Sequence, residues 1–599
     1  MGFCNRDAVR GFIEHLRIAR TAPASRTLPR PERSSVVSLS PHRKLLVFYL
    51  GIAAIALIAS VSAFNNGFTY DDIVIITQNP TVKDLHHPWD VFTRSYWPKP
   101  FSADLYRPLT SLALATEWKL GNGKPWPFHT VSILEYVLVA LAFYTLARKL
   151  LPTWGAWSAA ALFAAHPVHV EATAIGVNQG ELLTALLMLL AVSLYLTARN
   201  ERDLSPKRQA ALTGLYLAAC LTKEHGLMLP GLLAAAELTV VHDPRPWKER
   251  LRELRPFVLV LMLTGVVYLG VRRLVLPDLV GTFAAEAFRG ATMGGRALTM
   301  LGVVQEWLRL MLWPAHLQTD YTPREIEAAT GWGSDQWLGV ALLIAIAALA
   351  WWARRRQPVL TFGILWVAVA LFPVSNVLVP TGIVLAERSL FLASAGMMLV
   401  VGSAVAAVET AAVISRPTRL VVAAGVGALV LTGTAAAFRR QMVWHDQQTL
   451  FTHMVQEAPL SYKAHWGYGD LIFRDGDQAR GEKEYRLAIY LFPYSWYLFT
   501  NLGDRYRGAG LCGPAVKEYH RSLLLQADAV ATRSSLIACL LWLGQYQSAK
   551  RQIQIGIAVG KELENLALFR AAADTAIAEN APPGSVRVKI KDSTATSMP

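Results

Sequence analysis

Residues 68–80 read FTYDDIVIITQNP and place two adjacent carboxylates, Asp71 and Asp72, just beyond the first long apolar run. Farther along, YRPLTSL brings Arg107, HPVHVEATA brings His166, His169 and Glu171, and LTKEHG brings Lys223 and Glu224. LQTDYTP then adds Asp320, and LAERSLFLASAG adds Glu387 and Arg388. Acids beside cations suit transfer from a lipid-linked phosphate donor. Arg388, Lys223 and Arg107 would neutralise the departing phosphate, and an aspartate would orient or deprotonate the attacking hydroxyl. One strong base suffices, because a phosphate leaving group needs no protonation, whereas hydrolysis of an ordinary glycoside takes two carboxyl groups.

Each of these residues also has a plainer reading. An Asp-Asp pair after a helix serves as a turn or N-cap. His166 and His169 can sit at an interface or bind a metal, although Pro167 between them breaks the spacing of a helical zinc site. Lys223 can pair with Glu224, and Glu387 with Arg388. Trp89, Trp97, Trp118 and Trp126 in the first loop form an aromatic belt by default, with sugar stacking as the alternative.

The elements that must position these groups are membrane helices. The mean hydropathy is +0.31, and 53% of the 599 residues are hydrophobic against 17% charged, which marks a polytopic membrane protein. Apolar runs near the ~20 residues needed to cross hydrocarbon occur at 44–64, 129–147, 181–197, 256–271, 337–353, 358–378, 389–408 and 419–438, with shorter ones at 154–170, 209–222 and 226–241. The basic tail ahead of the first run is expected in the cytoplasm. Alternating crossings then put every later basic cluster, at 199–208, 245–255, 354–356 and 416–419, on that same side. The acids, cations and histidines named above all fall on the opposite side, as a polar cavity requires.

This count gives about eleven spans, provided that 296–314, which carries Gln305, Glu306 and Arg309, lies at the interface or re-enters. The net charge of +15 then reads as an orientation signal, and no nucleic-acid partner is expected. No cleavable signal peptide is expected either. Four cysteines are too few for a disulfide framework; Cys512 and Cys539 could in principle pair on the outer side, but free thiols are the expectation.

After Arg440 a self-similar unit begins. WGYGDLIFRDGDQARGEKEYRLAIYLFP is followed 34 residues later by TNLGDRYRGAGLCGPAVKEYHRSLLLQA, aligning Gly469 with Gly503, Gly476 with Gly510 and Tyr485 with Tyr519, and a third copy carries Gly544 and Ala549. This is the period of tetratricopeptide repeats. About three helix pairs would stack into a short solenoid whose groove binds extended peptide.

The order FTYDDIVIITQNPTV, YWPKPFSADLYRPLTSL, ALFAAHPVHVEATA, LTKEHG, LWPAHLQTDYTP and VLAERSLFLASAG, followed by such repeats, resembles the transmembrane-and-tetratricopeptide-repeat (TMTC-type) O-mannosyltransferases and their bacterial relatives, over about residues 64–560. The resemblance implies a GT-C glycosyltransferase fold with an acidic motif in its first outer loop, matched by Asp71 and Asp72. It implies a polyprenyl-phosphate sugar donor, typically mannose, and a Ser or Thr acceptor on an exported protein. Glu387 and Arg388 match its AER element, Lys223 and Glu224 its KE element. Where family members read a Gly-Arg-Ala-Asp-like stretch, this chain has Asn178, Gln179, Gly180 and Glu181.

The expected architecture is therefore all-α. A cytoplasmic tail (1–43) leads to a GT-C-like transmembrane domain (44–440) with a large first outer loop (65–128). A tetratricopeptide-repeat domain (441–578) and a disordered tail (579–599) follow. The expected activity is transfer of a sugar, mannose first, from polyprenyl phosphate to exported proteins held by the repeat groove, without a required metal. Asp71 and Asp72 would be catalytic, and Arg388, Lys223 and Arg107 would bind donor phosphate. His166, His169, Glu171, Glu224, Asp320 and Glu387 would line the cavity. The alternatives are a transferase or ligase for lipid-linked glycans or cell-wall polymers, a non-catalytic repeat scaffold, and a transporter. The basic, Ala-rich composition favours a bacterial inner membrane with the active face in the periplasm.

Overall fold

The computed structural model describes residues 40–98, 105–276, 285–321, 323–559 and 566–588. The expected basic tail up to residue 39 and the last residues, 589–599, lie outside that set. All regular structure among the described residues is helical.

Seven helices are long and apolar enough to cross a membrane by length and composition: His42–Asn65, Trp126–Leu150, Gly176–Asn200, Trp247–Val275, Ser334–Ala353, Glu387–Thr410 and Arg416–Trp444. At about 1.5 Å per residue, even 20 residues reach ~30 Å, the thickness of the hydrocarbon core. Side chains such as Ile344, Trp351, Val421 and Leu431 stay exposed along these helices, as lipid-facing positions do.

The other four expected crossings fall on shorter helices, Thr153–Ala164, Pro206–Thr222, Leu229–Thr239 and Pro358–Leu371. One of these ends has a visible cause. The run 154–170 stops at His166, whose backbone is extended (φ −77°, ψ 119°), because the residue before a proline is disfavoured in the helical region. The run 209–222 stops at Lys223, also extended (φ −157°, ψ 150°). The segment expected at the interface is a 20-residue helix, Met293–Leu312.

The helix Phe391–Thr410 packs between Thr153–Ala164 and Pro358–Leu371. Glycine permits both approaches: a Cβ at Gly396 would lie 2.6 Å from the Gly363 carbonyl oxygen, and one at Gly402 would lie 2.8 Å from that of Gly155. Small residues at facing positions let membrane helices pack backbone to backbone. At its far end Glu409 accepts a hydrogen bond from the Gly155 amide at 3.1 Å, a carboxylate on a helix N-terminus. That end of the bundle also holds a buried ion-pair cluster in which Arg199 meets Glu237 at 2.6 Å and Asp243 at 3.0 Å.

Helix pairs Tyr462–Arg474 with Gln478–Leu491, Trp496–Gly508 with Cys512–Leu525, and Val530–Trp542 with Tyr546–Ala558 follow. The repeat is visible in contacts as well as in sequence. Tyr485 donates to Asp470 at 2.8 Å, and one period later Tyr519 donates to Asp504 at 2.7 Å. Gly476, Gly510 and Gly544 turn each pair with φ of 100°, 77° and 74°, a region that favours glycine. Cys512 and Cys539 bring their sulfurs to 2.6 Å inside this core. The chain beyond 578, expected to be unstructured, remains packed as far as Val588: the Gly584 amide donates to the Trp542 carbonyl at 2.7 Å, and Val586 and Val588 lie against the repeat core.

Candidate active site

The turn that presents the acidic pair is tied down just ahead of it. Asn66 donates to the Gln441 carbonyl at 3.2 Å, and the Gly67 amide donates to the His445 carbonyl at 2.7 Å. Tyr70 then adopts φ 50°, a left-handed conformation that is strained for a bulky residue and clusters at functional sites.

The two acids behind Tyr70 face different surroundings. Asp72 is fully buried, and its two oxygens accept the amides of Val177 at 2.9 Å and Gly176 at 3.2 Å. Burial pushes its carboxyl up to about 7, against these amides, which favour the anion. It anchors the first outer loop to the start of the helix Gln179–Asn200. Asp71 is partly exposed, and among the described residues no hydrogen bond or ion pair reaches its carboxylate. Burial raises it above the ordinary aspartate range; Arg388, Lys463 and Arg107 oppose the rise and Glu171 adds to it.

The cations expected to hold phosphate are each fixed by a carboxylate. Arg388 donates its backbone amide (2.8 Å) and one guanidinium N–H to Glu171. Lys223 pairs with Glu181. Arg107 pairs with Glu224 at 2.9 Å and stacks over Tyr96, while Arg272 reaches the other oxygen of Glu224 at 3.2 Å. The pairings considered from sequence, Lys223 with Glu224 and Glu387 with Arg388, are therefore not the ones that form. These ion pairs leave donors unspent, since a guanidinium carries five N–H groups and an ammonium three. Their charges are also mutually felt: Arg388 and Arg107 act on both Asp71 and Lys223. Acids and cations from five separated segments thus meet at one end of the bundle.

Several expected cavity residues have other tasks. His166 accepts the Val168 amide at its Nδ1 (3.2 Å) and reaches the Met311 carbonyl with Nε2 (3.0 Å). His169 lies between Tyr136 (3.0 Å) and Ser394 (2.8 Å). Both rings are buried with both nitrogens engaged, so they lock the Pro167 turn onto neighbouring helices. Glu387 is buried too, accepting the Gln318 amide at 2.6 Å and the Tyr321 hydroxyl at 3.2 Å; it holds the loop that carries Asp320. Gln179 points inward, donating to Glu117 at 2.8 Å and to the Phe128 carbonyl at 3.0 Å. No group of three His, Cys, Asp or Glu side chains placed to hold a metal occurs among the described residues.

Three contributors escaped the sequence reading. Glu181 was visible only as a departure from the family's stretch, and Arg272 and Lys463 were not singled out at all, the latter because it sits in the first repeat helix.

No protein-family model matches the chain. Among curated proteins it is 25% identical over 467 residues to the protein O-mannosyl-transferase F38B6.6 of Caenorhabditis elegans, covering 75% of this chain and 63% of that protein. It is 26% identical to the protein O-mannosyl-transferase Tmtc3 of Drosophila melanogaster (76% of this chain, 56% of that one). With the protein O-mannosyl-transferase TMTC3 of Homo sapiens it shares 24% identity (76% and 52%). The chain spans between about half and two thirds of the length of these relatives. At this level of identity, and over three quarters of its length, the chain is a distant homologue of the TMTC-type protein O-mannosyltransferases.

Proposed function

We propose that the chain is a membrane glycosyltransferase that moves one sugar, mannose, from a polyprenyl-phosphate donor to Ser or Thr hydroxyls of exported proteins. In this reading the bundle is of GT-C type with about eleven crossings, the shorter helices counted as spans. The cavity and the repeats then face away from the cytoplasm, in a bacterial inner membrane. The homology supports a transferase of this class, and the observation that carries the site assignment is the unpartnered Asp71 carboxylate among fixed cations.

The acceptor hydroxyl attacks the anomeric carbon, its proton passes to Asp71, and the bond from that carbon to the phosphate oxygen breaks. Charge that builds on the leaving polyprenyl phosphate meets Arg388, with Lys223 and Arg107 behind it. Preorganised donors of this kind cost no reorganisation at the moment of reaction. A metal is not required, because side-chain cations do the neutralising.

The test supplies radiolabelled polyprenyl-phosphate mannose to membranes holding the wild-type chain or Asp71→Asn. Label should enter protein with the wild type and fall to background with the variant at equal abundance. Undiminished transfer by Asp71→Asn removes the assigned base, and label recovered only in glycolipid moves the acceptor to a lipid-linked glycan.

A further inference from the structure

The three helix pairs of the repeat domain are not tied to one another in the same way. Between the first and second pairs the tie is ionic: Arg505 of Trp496–Gly508 reaches back to Asp470 of Tyr462–Arg474 at 2.9 Å. One 34-residue period later, Asp504 stands in the place of Asp470 and Cys539 in the place of Arg505. From the third pair Asp504 receives the Ser535 hydroxyl at 3.2 Å, and Arg507 of its own helix lies at 3.5 Å. Cys539 meets Cys512, the first residue of Cys512–Leu525 in the second pair, and the two sulfurs come to 2.6 Å.

Both are free thiols here and lie in the packed core, Cys512 8% exposed and Cys539 fully buried. A buried free cysteine ordinarily packs as a small apolar side chain, so the plainer reading is two such residues that are merely neighbours. Their register argues against it, because Cys539 occupies the position that carries the inter-repeat ion pair at the preceding junction. Nor are they part of a zinc site: no group of three His, Cys, Asp or Glu side chains placed to hold a metal occurs among the described residues. Outside a reducing cytosol, two thiols in contact have a third course, since disulfides form and persist in oxidising compartments.

We propose that Cys512 and Cys539 are a modification site, oxidised to a disulfide that staples the third repeat pair to the second and fixes the groove across them. This rests on the reading that the repeats face away from the cytoplasm. The oxidant is a protein thiol–disulfide oxidoreductase in its disulfide form. The thiolate of Cys512, the more exposed of the two, attacks one sulfur of that disulfide and forms a mixed disulfide; the thiolate of Cys539 then displaces the oxidoreductase. One S–S bond forms in the repeats and one is broken in the oxidant, which takes up the two electrons and the two thiol protons and leaves as a dithiol.

The experiment uses the full chain in its own membranes. Cells are quenched in acid, free thiols are blocked with N-ethylmaleimide, and the chain is cut with trypsin without reductant. Peptides 508–517 and 534–550 should appear joined, with Cys4 and Cys220 alkylated. Dithiothreitol added before the block should separate the two peptides and leave all four cysteines alkylated. Cys512→Ser should expose Cys539 to alkylation, and Cys539→Ser should expose Cys512; the wild-type map carries the test if these variants do not accumulate. Alkylation of both cysteines in the unreduced wild type overturns the proposal. Purified, reduced chain exposed to oxidised glutathione then shows which premise failed. A bond that forms there but not in cells places the repeats on the reducing side of the membrane, so the reading of sidedness falls. A bond that forms in neither shows that the sulfurs do not pair, and leaves the sidedness standing.

Discussion

Glu171 grips Arg388 at two points, the backbone amide at 2.8 Å and the guanidinium, across 217 residues of chain. Its own side chain is almost fully buried while that of Arg388 is 20% exposed, so the pair presents a guanidinium edge aimed from one side. Glu171→Gln keeps a hydrogen-bond acceptor but removes the charge that fixes this edge. Hydrogen bonds to charged groups contribute about 1.5–3 kcal/mol, which predicts a roughly ten- to hundredfold fall in kcat/KM for the lipid donor. The loss should appear mainly as a raised donor KM. Donor titration with the purified variant checks it, and an unchanged KM would show that Arg388 does not hold phosphate.

The wild-type pH profile follows from the surroundings of Asp71. Burial raises its carboxyl, and the nearby cations offset only part of that rise. A base must be ionised, so transfer should fall as pH drops through this raised value. The acidic limb should have its midpoint above ~3.9, the value for a free aspartate. Initial rates across pH 4–9 test this; a limb at or below the free value would mean that a different group accepts the proton.

Asp71 and Asp72 should separate by their effects on the fold. Asp72→Ala strips the partners from the buried amides of Gly176 and Val177, and each unsatisfied buried group costs about 1–3 kcal/mol. Its thermal midpoint in detergent should drop clearly, with Asp72→Asn in between. Asp71→Asn removes no contact and should unfold with the wild type. Equal midpoints for Asp72→Ala and Asp71→Asn would remove the anchoring role of Asp72.

Much of this arrangement was legible from the chain alone, and its limits have physical causes. Hydropathy located the seven long helices, and the 34-residue period located the repeats, because both depend on local pattern. The run 154–170 reads as one continuous apolar segment, yet a proline breaks it, and the break is where Glu171 enters the site. Which acid meets which cation was not legible: Lys223 turns from adjacent Glu224 to Glu181 because the pairing is set by helices that approach in space. The histidines share the polar face of their loop with Glu171, and only the packing of Tyr136, Ser394 and Met311 around them shows that they are locks. Lys463 carries no signal at all, since a lysine on a repeat helix is by default solvated.

The contact between Gly363 and Gly396 ties packing to catalysis. A Cβ at Gly396 meets the Gly363 carbonyl at 2.6 Å and the Trp366 side chain at 2.9 Å, and neither a backbone carbonyl nor a fully buried tryptophan yields easily. Overfilling a packed interior costs about 1–3 kcal/mol. Gly396→Val should therefore lower the thermal midpoint, and because Arg388 leads directly into this helix, the shift should also raise the donor KM. Gly214→Val offers the control, since nothing lies within 4 Å of an added Cβ there and only the modest helix penalty of a β-branched residue applies. If Gly396→Val lowers stability and leaves donor KM untouched, the helix does not set the position of Arg388, and the grip of Glu171 alone must do so.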